Sequence, residues 1–98
     1  MTKEDISVLL VDDERSITNI VPIFLEQVGA ETEVLKTTQE GIDRIKERYG
    51  PPNPEPYDVI LTDLSQHPTG VEVVNTLREY DAHTLCYIIT GGTVKPAL

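Results

Sequence analysis

Short apolar runs recur along this chain, and two of them end on carboxylates. The runs Ile6–Val11, Asp58–Asp63 and Leu85–Ile89 are nearly continuous in hydrophobic residues. Such runs are typical of strands that are covered on both faces, as in a parallel sheet. The segment Glu31–Lys36 alternates loosely between polar and apolar residues and predicts a fourth, more exposed strand.

Helical spacing of apolar residues predicts one helix after each of the first three strands. Gly29 supplies a stop signal for the first helix. Thr38 is expected to cap the second helix, which runs to about Arg48, and Thr69 and Glu72 form a capping-box pair at the start of the third. The predicted inward positions are Ile17, Ile20, Val21, Phe24, Leu25 and Val28 in the first helix, Ile42 and Ile45 in the second, and Val71, Val74 and Leu77 in the third.

The alternation of strands and helices predicts an α/β fold with a doubly wound parallel sheet, since crossovers between parallel strands are right-handed. The proline-rich segment 50–56 favours an extended surface loop within one domain. The chain of 98 residues is too short for two domains that could each fold alone.

Polar side chains follow the predicted strands at the edge where such sheets bind ligands. The first strand is followed by Asp12 and Asp13, the third ends on Asp63, and the fourth is followed by Thr90. Converging carboxylates repel one another, and a hard divalent cation relieves that repulsion. An alternative is that the acidic residues only cap helices. This reading suits Asp63 least, because the helix after it begins near Thr69.

The composition excludes several partners. A formal charge of −9 and a pI near 4.5 argue against direct binding to nucleic acid or an anionic membrane. No apolar run is long enough to cross a bilayer, and Met1–Asp5 is too polar for the core of a signal peptide, so a cytoplasmic location is expected. The single cysteine, Cys86, lies in an apolar run and is interpreted as a buried structural residue.

Three segments together resemble the signature segments of the response regulator receiver family of two-component systems: Val8–Glu14, Asp58–Leu64 and Ile88–Gly91. The resemblance implies a flavodoxin-like (CheY-like) sheet with strand order 2-1-3-4. It also implies that a histidine kinase or phosphotransfer protein donates a phosphoryl group to Asp63.

The same resemblance assigns roles to the residues around Asp63. Asp13 matches a direct Mg²⁺ ligand, Asp12 matches a residue that holds the ion through water, and Asp63 is itself a ligand. The backbone carbonyl of Ser65 would complete the protein's share of the Mg²⁺ site. Thr90 matches the hydroxyl that turns toward the phosphoryl oxygens when such a domain is switched on.

The end of the chain departs from the family pattern, which has a fifth strand, a further helix and a lysine followed by proline. Lys95 and Pro96 lie too close to Thr90 for a parallel crossover, which needs about a dozen residues or more. We therefore expect residues 93–98 to begin a fourth helix, with Lys95 a coincidental match. On this reading residues 1–98 form a receiver domain that lacks the fifth strand and last helix, and the fourth strand is an edge.

This departure leads to further expectations. A partly bare sheet face favours a dimer or completion by another segment. Lys95 could replace the family lysine from a tail or a neighbouring chain. The loop after Asp63 is one residue shorter than is usual in the family. His67 in that loop is either solvated or close enough to tune the site or bind a transition metal.

Three functional classes follow. The first is a phosphoacceptor module rather than a turnover enzyme. The second is a degenerate receiver that keeps the acidic cluster but serves as an interaction module. The third, a Mg²⁺-dependent phosphohydrolase of similar topology, lacks the usual Asp-x-Asp pattern, because Asp12 and Asp13 are adjacent.

Overall fold

The computed structural model describes residues 6–97, which form five strands and three helices. The elements in chain order are β1 (Ile6–Val11), α1 (Arg15–Gln27), β2 (Ala30–Leu35), α2 (Thr38–Tyr49), β3 (Val59–Asp63), α3 (Gly70–Tyr80), β4 (Leu85–Thr90) and β5 (Thr93–Pro96). No helix in this range is long and apolar enough to cross a membrane.

The sheet has the order β2-β1-β3-β4-β5, so the predicted order of the first four strands is confirmed. These four strands are parallel, with Val11 opposite Leu35 on one side and opposite Thr62 on the other. Asp63 at the end of β3 pairs with Ile89 of β4. The carboxyl ends of β1, β3 and β4 therefore lie side by side along one edge of the sheet.

The prediction of a fourth helix over residues 93–98 is wrong for the part of it that the structure describes. Residues Thr93–Pro96 form β5, which pairs antiparallel with β4. The two residues between the strands, Gly91 and Gly92, have φ of +54° and +80°. A two-residue hairpin turn of type I′ needs positive φ at both central positions, and two glycines provide it at little cost. Leu98 lies outside the described residues.

The hairpin also corrects the prediction that β4 is an edge strand. β5 covers that side of β4, and the Ala97 N–H donates to the carbonyl of Cys86 at 2.7 Å, one step beyond the strand. All four residues of β5 are exposed. The short strand β5 therefore forms the edge of the sheet.

The main core lies on the face of the sheet that α2 and α3 cover. Because side chains alternate along a strand, Leu9 and Val11 point toward these helices while Val8 and Leu10 point to the other face. Val73 of α3 is buried, whereas Val71, predicted to point inward, is 48% exposed. The core residues are Leu9, Val11, Ile42, Ile45, Tyr49, Tyr57, Ile60, Val73, Val74, Leu77 and Cys86.

The other face is covered only in part. Helix α1 packs against β2 and contains no buried residue. Three members of its predicted inward face, Ile20, Phe24 and Val28, are 49%, 63% and 68% exposed. On the same face of the sheet, Leu85 and Val94 are also more than half exposed. This face of the sheet therefore carries exposed apolar side chains on α1 and, near the opposite edge, on β4 and β5.

The helix starts refine two predictions. The cap of α2 is Thr37, one residue before the predicted Thr38, and its Oγ1 accepts a hydrogen bond from the Glu40 N–H at 3.1 Å. Thr69 caps α3 as predicted, with its N–H donating to Oε2 of Glu72 at 3.3 Å. The proline-rich residues 51–56 are exposed, in agreement with a surface loop.

Candidate functional site

The three aspartates of the predicted site come together at the carboxyl ends of β1 and β3. Asp12 and Asp13 directly follow β1, Asp63 is the last residue of β3, and the two strands are neighbours in the sheet. One carboxylate oxygen from each residue lies within 4.8 Å of the others. Three carboxylates this close form a strongly negative site with only oxygen ligands.

Asp12 is the buried member of this group, with 3% of its surface exposed. Burial raises the pKa of Asp12, and the negative charges of Asp63, Asp13 and Glu14 raise it further, while a hydrogen bond from the Glu14 N–H opposes the shift. That N–H lies 2.8 Å from Oδ1 of Asp12. The site therefore places a carboxylate where its negative charge is unfavourable without a cation.

Asp63 is half-buried, and its own loop orients it. Its Oδ1 accepts a hydrogen bond from the Ser65 N–H at 3.1 Å, and its Oδ2 accepts one from Nε2 of Gln66 at 3.3 Å. The Leu64 N–H donates to the carbonyl of Ile89 at 3.1 Å, which ties the start of the loop to β4. The carboxylate is held at the end of the strand but stays accessible from solvent.

Gly70 allows α3 to begin against this strand end. A Cβ at position 70 would lie 2.4 Å from the carbonyl oxygen of Asp63 and 3.0 Å from Cα of Leu64. Both atoms belong to the backbone, so they cannot move aside cheaply. A glycine here is needed for close approach between the helix start and the site.

Thr90 and Lys95 take different positions relative to the carboxylates. Thr90 is the last residue of β4, half-buried, one position beyond the partner of Asp63. Lys95 pairs with Ile88 in the hairpin. Because Ile88 is in register with Thr62, Lys95 lies on the sheet face opposite the one that carries Asp63. Thr90 lies on the same face as Lys95, but Thr90 is at the carboxyl end of β4, where the site is, whereas Lys95 is paired two positions further from that end.

The remaining predicted features are peripheral. His67 is exposed in the loop after Asp63 and does not belong to the carboxylate cluster found within residues 6–97. Ser65 contributes its N–H to Asp63, and its side chain is exposed. A groove of about 780 Å³, lined by Ser7, Thr32 and Tyr57, lies at the other end of the sheet and contains none of the three aspartates.

Gln66 is a site residue that sequence reasoning missed. Its side chain contacts Asp63 and also reaches the segment before α2. The only signal in the sequence is an amide three residues after a strand-terminal aspartate, in a loop that is one residue short. That signal does not say which neighbouring segment the amide meets.

Comparison with known proteins agrees with this geometry. The sequence profile of the response regulator receiver domain matches residues 8–97, so the chain belongs to the response regulator receiver family. The match includes the carboxyl ends of β1 and β3, which carry the three aspartates, and all of β4.

One relative is the transcriptional regulatory protein TrcR of Mycobacterium tuberculosis (strain ATCC 25618 / H37Rv). It is 35% identical over 86 residues, which cover 88% of this chain and 31% of that protein. The chain therefore spans about a third of the length of this curated relative.

Proposed function

We propose that this domain is the phosphoacceptor of a two-component phosphorelay, with Asp63 as the residue that accepts the phosphoryl group. The observation that carries the proposal is the convergence of Asp12, Asp13 and Asp63 within 4.8 Å in a chain of the receiver family. Asp63 is the member of the cluster that follows β3 and is both oriented and accessible, as a nucleophile must be.

The donor set fits Mg²⁺. Hard divalent cations prefer carboxylate, carbonyl and water oxygens, and the carboxylates of Asp12, Asp13 and Asp63 provide three of them. We propose Asp13 and Asp63 as direct ligands, Asp12 as a residue that holds the ion through water, and the carbonyl of Ser65 as a further ligand. When bound, the ion would neutralise negative charge on the phosphoryl oxygens and on the three carboxylates.

The proposed transfer proceeds in line at phosphorus. A carboxylate oxygen of Asp63 forms the new O–P bond while the N–P bond of the donor's phosphohistidine breaks. The donor's phosphoimidazole carries a proton on its other ring nitrogen, so the bonding electron pair leaves on a neutral imidazole, no proton is needed from this chain, and Asp63 becomes an acyl phosphate. Positioning and charge stabilisation supply most of the catalysis for such a step, so the domain accepts a group and does not act as a turnover enzyme.

Thr90 is the proposed partner of the phosphoryl group. A hydroxyl can donate one hydrogen bond to a phosphoryl oxygen, and the position of Thr90 at the end of β4 supports this role. The new charge on Asp63 would then draw Thr90 and the hairpin turn at Gly91 toward the site, a local charge event with a wider structural effect.

The proposed partner is a histidine kinase or phosphotransfer protein in the cytoplasm. Membership of the receiver family supports this partner. The buried cysteine without a disulfide, Cys86, is compatible with a reducing compartment.

The exposed apolar side chains on the α1 face of the sheet support a second contact, either with another copy of the chain or with a further segment. Phe24 is the largest of these side chains, at 63% exposure. If the exposed face of α1 mediates a dimer, Phe24→Glu should shift the mass measured by light scattering from dimer to monomer. The Val71→Glu control, on the exposed surface of α3, should leave it unchanged. A wild-type monomer at high concentration would rule out the dimer.

The second candidate function is a receiver that is not phosphorylated and serves as an interaction module. It is favoured by the position of Lys95 on the sheet face away from Asp63, because a cation near the phosphoryl group would stabilise the modified state. On this alternative the carboxylates would still bind a divalent cation, but no acyl phosphate would form.

Intact-protein mass spectrometry after incubation with acetyl phosphate and Mg²⁺ separates the two functions. The phosphoacceptor proposal expects one phosphoryl adduct on the wild type, none on Asp63→Asn, and a normal adduct on Asp43→Asn, which changes an exposed carboxylate of α2. Absence of an adduct on a folded, Mg²⁺-binding wild type would reject phosphate acceptance and favour the interaction module.

A further inference from the structure

A single side chain, Gln66, links the loop after Asp63 to the start of α2. Its Nε2 lies 2.9 Å from the carbonyl oxygen of Lys36 and 3.3 Å from Oδ2 of Asp63, and its Oε1 accepts a hydrogen bond from the Thr38 N–H at 3.0 Å. A carboxamide has two N–H donors and one carbonyl acceptor, so this side chain uses both kinds of group. Gln66 is therefore partnered with the site on one side and with α2 on the other.

The Thr38 N–H depends on this contact. Thr38 is the first residue of α2, and the first four N–H groups of a helix have no partner within it. The Thr37–Glu40 capping box serves other groups in the same turn. Thr38 itself is fully buried, and its hydroxyl donates to the carbonyl of Pro68 in the same loop as Gln66. Water cannot easily replace Oε1 of Gln66 at this place.

The three hydrogen bonds of Gln66 differ in length. Those to Lys36 and Thr38 have ordinary lengths, whereas the bond to Asp63 is longest, at 3.3 Å. The contact with Asp63 is therefore the weakest of the three and the first to respond when the carboxylate changes.

We propose that Gln66 is a positioning residue that couples the carboxylate of Asp63 to the first turn of α2. This proposal rests on the proposed function in one respect only, namely that Asp63 is the residue that is modified. Loss of the acceptor at Oδ2 of Asp63 frees one N–H of Gln66, the carboxamide reorients, and its bond to Thr38 is weakened. A change at the end of β3 thus reaches α2 without passing through Thr90 or Lys95.

Amide hydrogen exchange of Thr38, followed by NMR in metal-free protein, tests the coupling. Asp63→Ala removes the acceptor, and in the wild-type background it should speed Thr38 exchange at least about threefold, as expected for the weakening of one hydrogen bond. In the Gln66→Met background, Thr38 exchange should already be fast because its acceptor is gone, and Asp63→Ala should add nothing.

Two further variants separate coupling from a purely structural role. Gln66→Glu keeps an acceptor for Thr38 but replaces the N–H that contacts Asp63 with a second negative charge, so Asp63→Ala should relieve repulsion in this background and slow Thr38 exchange instead of speeding it. Gln39→Met is the matched control: it removes an exposed glutamine from the same turn, whose Nε2 contacts Oδ1 of Asp43 at 3.0 Å, and it should leave the response to Asp63→Ala intact.

The proposal is overturned if Asp63→Ala leaves Thr38 exchange unchanged in the wild-type background. It is also overturned if the change is equally large with Gln66→Met. Exchange of the Ile45 amide in the core reports global unfolding, and Asp63→Leu, which also has no acceptor, replaces Asp63→Ala in the same two backgrounds if that variant is unstable. The comparison requires no phosphoryl transfer, so its failure is distinct from an absent adduct in the acetyl phosphate experiment.

Discussion

Removal of the charge of Asp12 should stabilise this domain when no divalent cation is bound. The reason is the crowding of Asp12 with Asp13 and Asp63, whose carboxylate oxygens lie within 4.8 Å. The substitution Asp12→Asn keeps the size of the side chain and an oxygen that can accept the hydrogen bond from the Glu14 N–H. It removes two like-charge contacts and the burial of one negative charge.

The magnitude follows from Coulomb's law. Two unit charges 4.8 Å apart repel by about 0.9 kcal/mol in bulk water and by about 3.5 kcal/mol at an effective dielectric constant of 20. Asp13 is exposed and Asp63 is half-buried, so solvent screening places each contact nearer the lower value. The loss of a favourable carboxylate near the start of α1 costs about 0.3–1 kcal/mol. We therefore expect Asp12→Asn to raise the free energy of unfolding by about 1–3 kcal/mol.

Urea denaturation in the presence of a chelator measures this effect, with Asp43→Asn as the control for loss of a surface carboxylate. Addition of Mg²⁺ should then stabilise the wild type more than Asp12→Asn, because a ligand that binds the folded state adds stability that grows with the logarithm of its affinity. An unfolding free energy for Asp12→Asn equal to or below that of the wild type in chelator would refute the crowding argument.

Three more predictions concern the scaffold. Gly70→Ala should lower the free energy of unfolding by about 1–3 kcal/mol in urea, because its Cβ would overlap the Asp63 carbonyl, whereas Val71→Ala should change it by less than about 0.5 kcal/mol. Hydrogen bonds from the Thr84 hydroxyl and a neighbouring backbone N–H hold the pKa of Asp81 below its ordinary value of 3.8. This carboxylate therefore adds stability above pH 3.8, and that stability is lost as the pH falls through the lower pKa of the folded state. The difference in unfolding free energy between wild type and Asp81→Asn should shrink over the same pH range. Burial raises the pKa of the Cys86 thiol to about 11, so mass spectrometry should show little alkylation of Cys86 at neutral pH until urea unfolds the chain.

The candidate site illustrates which parts of a receiver domain can be predicted from sequence. Asp12, Asp13 and Asp63 each follow an apolar run, and parallel strands bring their carboxyl ends to one edge of a sheet. Their proximity therefore follows from local pattern and topology. The roles assigned to them as ligands and phosphoacceptor stay predictions.

Contacts made by loops were not predictable in the same way. Gln66 meets Lys36 and Thr38 because the loop after β3 folds back over the start of α2. Along the chain, Gln66 lies 28 positions after Thr38 and 30 positions after Lys36. No periodicity in the sequence encodes which backbone groups a loop amide will reach.

The C-terminal residues show how a local signal can be misread. Gly91 and Gly92 favour a tight hairpin, and the β-branched Thr93 and Val94 favour a strand. The family pattern suggested a helix after this glycine pair instead. Here the local turn chemistry agreed with the structure, and the expectation taken from the family was wrong.

By itself the sequence determined the positions of the first four strands, the three helices between them and the edge at which the carboxylates meet, because these depend on the period of apolar residues and on the handedness of crossovers. Tertiary structure alone decided how each apolar face was used. The six residues of the apolar face predicted for the first helix have the same spacing whether they are covered or not, yet Phe24 and Val28 remain largely exposed because α1 packs toward β2. Periodicity identifies a face that can be buried, but the neighbouring elements determine whether it is.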